Sequence, residues 1–472
     1  MDAATPPADL HADFERQRAA FAATPFDAWP VRRERLRRLQ RLLQQNEAAI
    51  AAAIDADFGG RPAIETELAE QFPSLDEIKG ALRHGERWMQ PRRVGVAKWF
   101  LPASGEVLPQ PLGVVGIIVP WNYPLFLAVS PLAAALAAGN RALVKMSEFT
   151  PSFSALFAQL VAREFDPAEL HVINGGPEVA AAFASLPFDH LLFTGSTTVG
   201  RKVMAAAAAH LTPVTLELGG KSPAVIAADG KLEHAVERIL VGKLLNAGQT
   251  CIAPDYVLLP RAQLERFVTL AQAVARRMHP HGLADSDFCS VVNARQYARL
   301  QQLLTQARAA GARTVPLFDG AEADDARHRL APVLLVDPSL QLDVMTEEIF
   351  GPILPLVPVD SPQQAIEFIA ARPRPLALYW FDDDARRIEH ALRATHAGGV
   401  CINDTLLHVA QDTLPFGGVG ASGLGHYHGR WGFDTFSKLK PVFRQSSLNG
   451  MKLFTPPYTP LMRRMLDTMK RW

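Results

Sequence analysis

Val114-Val-Gly-Ile-Ile-Val119 opens the stretch of sequence that decides the fold. From here to residue 218, short apolar runs of strand length alternate with segments long enough for helices. The candidate strands are 114–119, 142–145, 170–173, 190–194 and 214–218, and the candidate helices between them are 125–138, 152–164, 178–186 and 199–210. This alternation predicts a parallel sheet with helices on both faces, a pattern typical of nucleotide-binding domains.

The sequence on either side extends this α/β prediction. The first hundred residues are expected to be mostly helical, with a break at Trp29-Pro30 and an arginine-rich run at 32–41 that forms turns and a solvated helix face. A helix at 232–246 leads into a second α/β region with strands at 256–259, 332–336, 353–357 and 376–380. A chain of 472 residues is too long for one core, so two domains with a cleft between them are expected.

Composition excludes several classes of partner. Lys plus Arg and Asp plus Glu both total 48, so the net charge gives no reason to expect nucleic acid, and a small molecule is the expected partner. Residues 107–140 carry no charge, but five prolines interrupt them, which favours a buried strand, loop and helix over a membrane span. The N-terminus lacks the pattern of a secretory signal, and three cysteines are too few for a disulfide scaffold, so we expect a cytoplasmic protein.

The strongest local signal is Asn246-Ala-Gly-Gln-Thr-Cys251-Ile-Ala-Pro254, which places a thiol in a glycine-containing loop after a helix. A free thiol has a pKa near ~8.5, so little of it is nucleophilic thiolate at neutral pH without help from its surroundings. On its own, Cys251 is better explained as a buried packing residue. A catalytic role therefore depends on other residues.

Four further motifs supply that support. In chain order, the five motifs are Pro120-Trp-Asn-Tyr-Pro124, Glu217-Leu-Gly-Gly-Lys-Ser-Pro223, the loop around Cys251, Glu347-Glu-Ile-Phe-Gly-Pro352 and Pro415-Phe-Gly-Gly-Val-Gly420. Together they resemble the aldehyde dehydrogenase superfamily over nearly the whole chain after the N-terminal helices. The sequences around Asp255 and Gly425, with Tyr427-His-Gly429, look most like the class 3 branch, and within it the chain is similar to bacterial coniferyl aldehyde dehydrogenases.

The resemblance implies a role for each of three catalytic candidates. Cys251 is expected to attack the aldehyde carbon, and the side-chain amide of Asn122 with the backbone N–H of Cys251 to stabilise the oxyanion. Glu217 matches the family's general base, which activates the water that hydrolyses the thioester. Taken singly, Asn122 is better explained as a turn residue between prolines and Glu217 as an ordinary surface acid.

The resemblance also implies a site for NAD, with NADP as a possible alternative. In Phe193-Thr-Gly195-Ser196-Thr-Thr-Val-Gly200, a strand end followed by a helix start would offer backbone N–H groups and the hydroxyl of Ser196 to a pyrophosphate. Lys145 and Glu148 match the family's segment that holds the adenosine ribose, and Trp121 matches a position that lines the cofactor cleft. Glu348 and Phe350 match residues that hold the nicotinamide ribose and ring. The acid Glu148 favours a free ribose hydroxyl and hence NAD, although class 3 relatives can use both cofactors.

The implied architecture is an α/β fold of the aldehyde dehydrogenase type. It comprises a Rossmann-type cofactor domain at 1–218 with an oligomerisation hairpin at 92–110, a catalytic domain at 219–414, and a segment at 415–472 that returns to the cofactor domain and ends in an oligomerisation tail. A homodimer is expected from the class 3 likeness alone. The literal GxGxxG at 418–423 lacks a βαβ context and is interpreted as a tight loop near the active site, and no His and Cys spacing suggests a metal.

Two other functions stay open from the sequence. An acylating dehydrogenase would pass the thioester to coenzyme A, although the presence of Glu217 as a hydrolytic base argues against it. A non-catalytic protein could keep the same fold for binding. The substrate is expected to be an aromatic aldehyde, such as coniferyl aldehyde, or a medium-chain aliphatic one.

Overall fold

A computed structural model describes residues 7–227 and 231–471. In chain order the strands are β1 (Arg92–Val94), β2 (Ser104–Pro111), β3 (Val114–Ile118), β4 (Arg141–Lys145), β5 (Leu170–Ile173), β6 (His190–Gly195), β7 (Val214–Leu218), β8 (Pro223–Ile226), β9 (Tyr256–Pro260), β10 (Arg313–Pro316), β11 (Ala323–Asp324), β12 (Arg329–Leu330), β13 (Val333–Val336), β14 (Ile353–Val359), β15 (Ala377–Phe381), β16 (Gly399–Ile402), β17 (Gly423–Leu424) and β18 (Ser437–Arg444). The α-helices are α1 (Pro7–Ala23), α2 (Trp29–Gln45), α3 (Glu47–Phe58), α4 (Ala63–Thr66), α5 (Phe72–Trp88), α6 (Phe126–Ala138), α7 (Pro151–Glu164), α8 (Pro177–Ala184), α9 (Thr197–Ala208), α10 (Leu232–Leu244), α11 (Leu264–Met278), α12 (Ala294–Ala309), α13 (Asp343–Thr346), α14 (Pro362–Ala370), α15 (Ala385–Ala394), α16 (Gly429–Thr435) and α17 (Pro460–Met469).

A six-stranded sheet forms the first layer, in the order β17-β7-β6-β3-β4-β5. The five predicted strands of the first region are all present and pair in parallel, and only the short β17 runs antiparallel. Every residue of β3 is buried, as expected for a central strand with helices on both faces. Because parallel strands end at one edge, the residues that follow β3, β4, β6 and β7 lie along the same side of the sheet.

A second, seven-stranded sheet has the order β10-β13-β14-β9-β8-β15-β16. Its neighbours pair in parallel except β10, which is antiparallel to β13. The four strands predicted for this region correspond to β9, β13, β14 and β15. With the first sheet, this confirms the predicted α/β fold class.

A small antiparallel sheet stands apart from the two large ones and has the order β1-β2-β18. The hairpin expected at 92–110 supplies β1 and β2. The strand β18 was not predicted, and it pairs along the whole of β2, from Ser437 with Pro111 to Arg444 with Ser104. The division into domains at 218 and 414 stays a prediction.

The arginine-rich run in the N-terminal helices corrects one expectation. Residues 32–41 are not turns but lie within α2, and two arginines are buried instead of solvated. Arg32 donates to the carbonyls of Ala137 and Ala138 at the end of α6. Arg35 pairs with Asp27 at 2.6 Å and with Glu169 at 2.9 Å. Buried arginines are tolerated here because carboxylates and the carbonyls at the end of a helix, which lack partners within the helix, accept hydrogen bonds from their N–H groups.

Among the described helices, none combines the length and apolar character that a membrane crossing requires. The uncharged segment 107–140 forms the end of β2, the strand β3, a turn and α6, in which every residue after Phe126 is buried. In the C-terminal tail, α17 has no buried residue within 460–469.

Candidate active site

The loop before Cys251 has an unusual backbone. Asn246, Ala247 and Gly248 follow α10 with φ values of 52°, 50° and 75°, three successive left-handed residues of which only one is glycine. Such a conformation is costly for residues with a Cβ and persists only where the surroundings enforce it. Here the side chain of Gln249 accepts from Val292 N–H and donates to the carbonyls of Asn246 and Ser290. The loop is therefore held in one shape.

The side chain of Asn122 lies against this loop. It follows β3 in the turn 119–125, is 3 % exposed, and its Nδ2 donates to the carbonyl of Gln249 at 3.2 Å. In return, Nδ2 of Asn246 donates to the carbonyl of Asn122 at 3.1 Å, and Tyr123 bonds to Thr250 at 2.6 Å. An amide nitrogen carries two N–H bonds, so the second one of Asn122 is left for a ligand.

Glu217 approaches the thiol from β7. It is 2 % exposed, and neither carboxylate oxygen has a hydrogen-bond partner within the described part of the chain. Burial raises the pKa of Glu217 well above its ordinary value. The backbone of Glu217 pairs with Gly423 of β17, so the loop predicted at 418–423 ends beside the strand that carries Glu217.

Electrostatics place Glu217 and Glu348 close to the thiol. Burial, followed by the negative charges of Glu348 and Glu217, raises the pKa of Cys251 to about 12, and the N–H groups of Cys251 and Ile252 partly offset this. At neutral pH the thiol is therefore protonated. A proton acceptor or a nearby positive charge must act before Cys251 becomes a nucleophile, and Glu217 in its carboxylate form, which its raised pKa disfavours, is such an acceptor.

Glu348 and Phe350 lie on the opposite side of the cleft, between α13 and β14. Burial raises the pKa of Glu348 to about 8, and the N–H of Gly220 donates to its carboxylate. Its Oε1 has no partner among the described residues, and a Cβ added at Gly219 would lie 1.9 Å from its Oε2. The ring of Phe350 meets that of Trp121 edge-on at 5.3 Å, which joins this side to the Asn122 turn.

The remaining cofactor candidates follow β4 and β6. Lys145 is 1 % exposed, and its Nζ donates to the carbonyls of Met146 and Gly175 at 2.7 and 2.8 Å. It is thus not part of a solvated pair. Burial lowers its pKa, which the charge of Glu148 opposes, and Glu148 itself is exposed.

The turn after β6 forms as expected. Gly195 ends the strand, and Ser196 caps α9, with its Oγ accepting from Val199 N–H at 3.4 Å. One turn later, a Cβ at Gly200 would lie 2.6 Å from Leu218, so this glycine lets α9 approach β7 closely. The first N–H groups of such a helix are available to an anion.

An aromatic cluster next to Cys251 was not assigned from the sequence. Its members, in order of contact from the Cys251 side, are Tyr379, His408, Phe416, His428 and Tyr427. Tyr379 donates to the carbonyl of Ile252. Burial, followed by the negative charges that Glu217 and Cys251 can carry, raises the pKa of Tyr427. Tyr427 and His428 belong to the motif Tyr427-His-Gly429 that was quoted above, and a tyrosine next to a histidine was the available signal in the sequence.

Two histidines of this aromatic cluster are free to bond a ligand. Both ring nitrogens of His408 and of His428 are buried without a partner inside 7–227 and 231–471. Burial lowers their pKa values to about 4 and about 3, so both rings are neutral at pH 7 and each has one donor and one acceptor nitrogen. Nowhere in the same two ranges do three His, Cys, Asp or Glu side chains come together as a metal site would require.

Comparison with known proteins identifies the family of this chain. The sequence profile of the aldehyde dehydrogenase family matches residues 3–442. The chain is 51 % identical to a probable coniferyl aldehyde dehydrogenase of Pseudomonas aeruginosa, over 95 % of this chain and 94 % of that one. It is 45 % identical to a coniferyl aldehyde dehydrogenase of a Pseudomonas species, over 93 % and 92 %. It is 36 % identical to aldehyde dehydrogenase family 3 member H1 of Arabidopsis thaliana, over 92 % and 89 %.

Solved structures share the fold. The substrate-bound AldH of Staphylococcus aureus superposes with a TM-score of 0.93 at 36 % identity, covering 98 % of this chain and 99 % of that one. An indole-3-acetaldehyde dehydrogenase in complex with NAD+ superposes with a TM-score of 0.85 at 26 % identity, covering 94 % and 90 %.

Proposed function

The chain belongs to the aldehyde dehydrogenase family, and from that premise we propose that it oxidises an aromatic or medium-chain aldehyde to the carboxylic acid through a thioester on Cys251. The proposal is supported by two contacts of the Cys251 loop: Asn122, after β3, bonds to the carbonyl of Gln249, and the charge of Glu217, in β7, acts on the thiol. A nucleophile, an oxyanion donor and a base catalyse the reaction only together, and in this proposal Cys251, Asn122 and Glu217 fill these three roles.

In the proposed reaction, Glu217 takes the thiol proton, and the sulfur of Cys251 bonds to the aldehyde carbon. The free N–H of Asn122 and the backbone N–H of Cys251 then stabilise the oxyanion. Loss of a hydride from that carbon leaves a thioester. Glu217 then releases the thiol proton to solvent and takes a proton from water, whose oxygen bonds to the carbonyl carbon. The carbon–sulfur bond breaks, which releases the acid, and the departing sulfur takes the proton back from Glu217.

Bound NAD(P)+ would supply the acceptor for the hydride. The residues present fit such a group, because Glu348 has a buried oxygen without a partner within the described residues, and the start of α9 offers backbone N–H groups. In this proposal Ser196, with Gly195 and Gly200, holds the pyrophosphate. Lys145 and Glu148 hold the adenosine ribose, and Glu148 favours NAD over NADP because its charge opposes a 2′-phosphate.

The aromatic cluster supports an aromatic substrate. Ring faces and edges at 4.5 to 6.2 Å from one another offer stacking surfaces, and His408 and His428 offer neutral hydrogen-bonding groups. Two of the relatives are named for coniferyl aldehyde, whose aryl ring carries polar substituents. A panel of aromatic and aliphatic aldehydes assayed with NAD+ and NADP+ in parallel tests both preferences.

The decisive experiment replaces the thiol. Cys251→Ala should abolish NADH formation while the protein still binds NAD+, measured by fluorescence titration. Cys401→Ala is the matched control, because this second half-buried cysteine lies on β16 and has no role in the proposal. Near-normal turnover by Cys251→Ala would contradict the proposed mechanism.

Two further expectations belong to this proposal. An acylating enzyme would need coenzyme A, so the formation of acid without coenzyme A would show that the thioester is hydrolysed and not transferred.

We also propose that the protein is a homodimer and that it is cytoplasmic, a compartment in which its three unpaired cysteines stay reduced.

A further inference from the structure

A short segment near the N-terminus contacts both catalytic loops. It runs from Arg61 through α4 and ends in a π-helical turn, Glu67–Gln71, that leads directly into α5. π-helical turns are rare and occur often at functional sites. Three charged side chains of this segment point inwards, and each binds the backbone of a loop that the proposed mechanism uses.

Arg61 holds the residue that carries the oxyanion donor. It is 2 % exposed, its Nη1 donates to the carbonyl of Asn122 at 2.9 Å, and its guanidinium lies over the rings of Phe58 and Tyr123 at 5.0 and 4.9 Å. The same Nη1 is 3.0 Å from Oε1 of Glu70. The guanidinium of Arg61 is thus held in place by its ion pair with Glu70 and by the aromatic rings that it contacts.

Glu70 holds the other end of the same turn. It is fully buried, and its Oε2 accepts from the N–H groups of Leu125 and Phe126 at 2.7 and 3.2 Å, where α6 begins. Together, Arg61 and Glu70 therefore fix the backbone immediately at and after Asn122. A carboxylate at a helix start is also favourably placed with respect to the helix dipole.

Glu65 reaches the second loop. Both of its oxygens lie 3.2 to 3.3 Å from the N–H of Asn246, the first of the three left-handed residues that precede Cys251. Burial raises the pKa of Glu65 to about 7, in keeping with a carboxyl enclosed by protein. Across the cleft, the carbonyl of Asn122 accepts from both Arg61 and Asn246, so the two loops and this segment meet at one oxygen.

We propose that Arg61, Glu65 and Glu70 are positioning residues that set the distance and orientation of Asn122 relative to Cys251. The proposal rests on the proposed function, because it assigns these residues to the oxyanion step. Burying an ion pair contributes little net stability compared with apolar side chains of the same volume, so stability alone gives no reason for charges here. A misplacement of 1 Å at a reacting centre can lower the rate about a hundredfold, so precise positioning of Asn122 is a reason for these buried charges.

The first test uses a double variant without an unpaired buried charge, Arg61→Met with Glu70→Gln. We expect kcat to fall about 10- to 100-fold while KM for NAD+ stays within about threefold, because the substituted residues act on the oxyanion donor and not on the cofactor. Arg61→Lys, which keeps the charge, should recover part of kcat. Unchanged kcat in a folded double variant would overturn the proposal.

Asp27→Asn is the matched control. Asp27 pairs with Arg35 and Arg141 in another buried ion cluster, which contacts neither loop. This variant should lower the melting temperature and leave kcat unchanged. An equal fall in kcat from Asp27→Asn would show that any damage to a buried ion pair has this effect, and would overturn the assignment.

Combining these replacements with Asn122→Ala distinguishes an effect on the position of Asn122 from a general loss of stability. In an Asn122→Ala background, the double replacement at 61 and 70 should lower kcat by less than about twofold, because the group it positions is already gone. An undiminished loss of kcat in that background would overturn the proposal.

A readout without activity keeps this inference distinct from the proposed function. Amide hydrogen exchange at Leu125 and Phe126 should become faster in Glu70→Gln, and exchange at Asn246 faster in Glu65→Gln, while exchange in β3 stays slow. If Cys251→Ala retains turnover, the proposed function fails whatever the exchange rates are. If exchange is unchanged in both glutamate variants, the positioning proposal fails whatever Cys251 does.

Discussion

Glu217 faces two opposing demands, because burial favours its protonated form and the proposed hydrolysis needs the carboxylate. The fraction of carboxylate rises as the pH rises through the raised pKa, so kcat of the native enzyme should increase towards alkaline pH. Replacing Glu217 by Gln should lower kcat about 10²- to 10⁴-fold, remove this dependence and also slow the first turnover of NADH, because the same carboxylate accepts the thiol proton. Stopped-flow absorbance measures both phases, and steady turnover by Glu217→Gln at the native rate would contradict its role as the base.

Gly219 controls the position of Glu348 by having no side chain. A Cβ at this position would stand 1.9 Å from the Glu348 carboxylate, so Gly219→Ala must displace that carboxylate. We expect KM for NAD+ to rise about tenfold, since the displaced group is the proposed partner of a ribose hydroxyl. Gly95→Ala, in an open loop with no atom near the added carbon, is the control for glycine replacement in general. A normal KM in Gly219→Ala would argue against Glu348 as a cofactor contact.

At the scale of elements, α5 joins the N-terminal helices to the C-terminal segment through Glu77. This side chain is 2 % exposed and accepts from the N–H of Gly429, where α16 begins, at 2.8 Å. Burial and the negative charge of Asp412 raise the pKa of Glu77 to about 8. The native protein therefore keeps a proton here that the unfolded chain loses above its ordinary carboxyl pKa of 4.5.

This raised pKa makes the stability depend on pH in a defined direction. The contribution of Glu77 is complete below pH 4.5 and is lost as the pH rises through about 8. Glu77→Gln cannot lose a proton, so the stability of this variant relative to the native protein should increase by about 2 kcal/mol between pH 6 and pH 9. Urea unfolding at several pH values measures the difference, and Glu86→Gln, exposed on the same helix, should show none.

The predictability of the elements follows from their burial. The parallel strands β3 to β7 are buried along nearly their whole length and each contains an apolar run, so their sequence alone marks them. The strand β18 was not predicted because Lys438, Lys440 and Arg444 are exposed and no apolar run marks it. Its place is set by pairing with β2, more than 300 residues earlier. Pairing partners of this separation leave no local signal.

The same reasoning applies to the candidate site. The motifs predicted a catalytic site at Cys251, because each motif is a continuous stretch of sequence that forms a single loop. Arg61 and Glu70 were not predicted, since a charged residue in a helical segment is normally solvated and its burial depends on what packs against it. The aromatic cluster depends on contacts between three distant segments, and was not predicted for the same reason.

On the scale of the whole molecule, the small sheet and the C-terminal tail expose an apolar surface. A cavity of about 450 Å³ is lined by Val96, Ala97, Phe100, Phe443, Gln445 and Met451. Phe443 is 52 % exposed, and its ring meets Phe100 edge-on at 6.1 Å. Contiguous apolar side chains of this kind mark an interaction surface, and the proposed homodimer would cover them.

Phe443→Asp should therefore shift the protein from dimer to monomer, because an aspartate would lose its hydration in the covered surface. Light scattering coupled to size-exclusion chromatography measures the mass of each species. Leu211→Asp, at a leucine that is 89 % exposed at the end of α9, should leave the mass unchanged. A native mass equal to one chain would contradict the dimer directly.

The pairing of β17 with β7 has a consequence for protein synthesis. Gly423 lies opposite Glu217, so the strand that carries the proposed base becomes an inner strand only after the ribosome has made about 200 further residues. At ordinary elongation rates, this takes about 10 to 40 s. During that interval Cys251 has already been translated, but the edge beside Glu217 is still open. A nascent chain therefore carries its thiol for many seconds before it has a finished enzyme around it, and a truncated translation product that ends before residue 423 should be inactive.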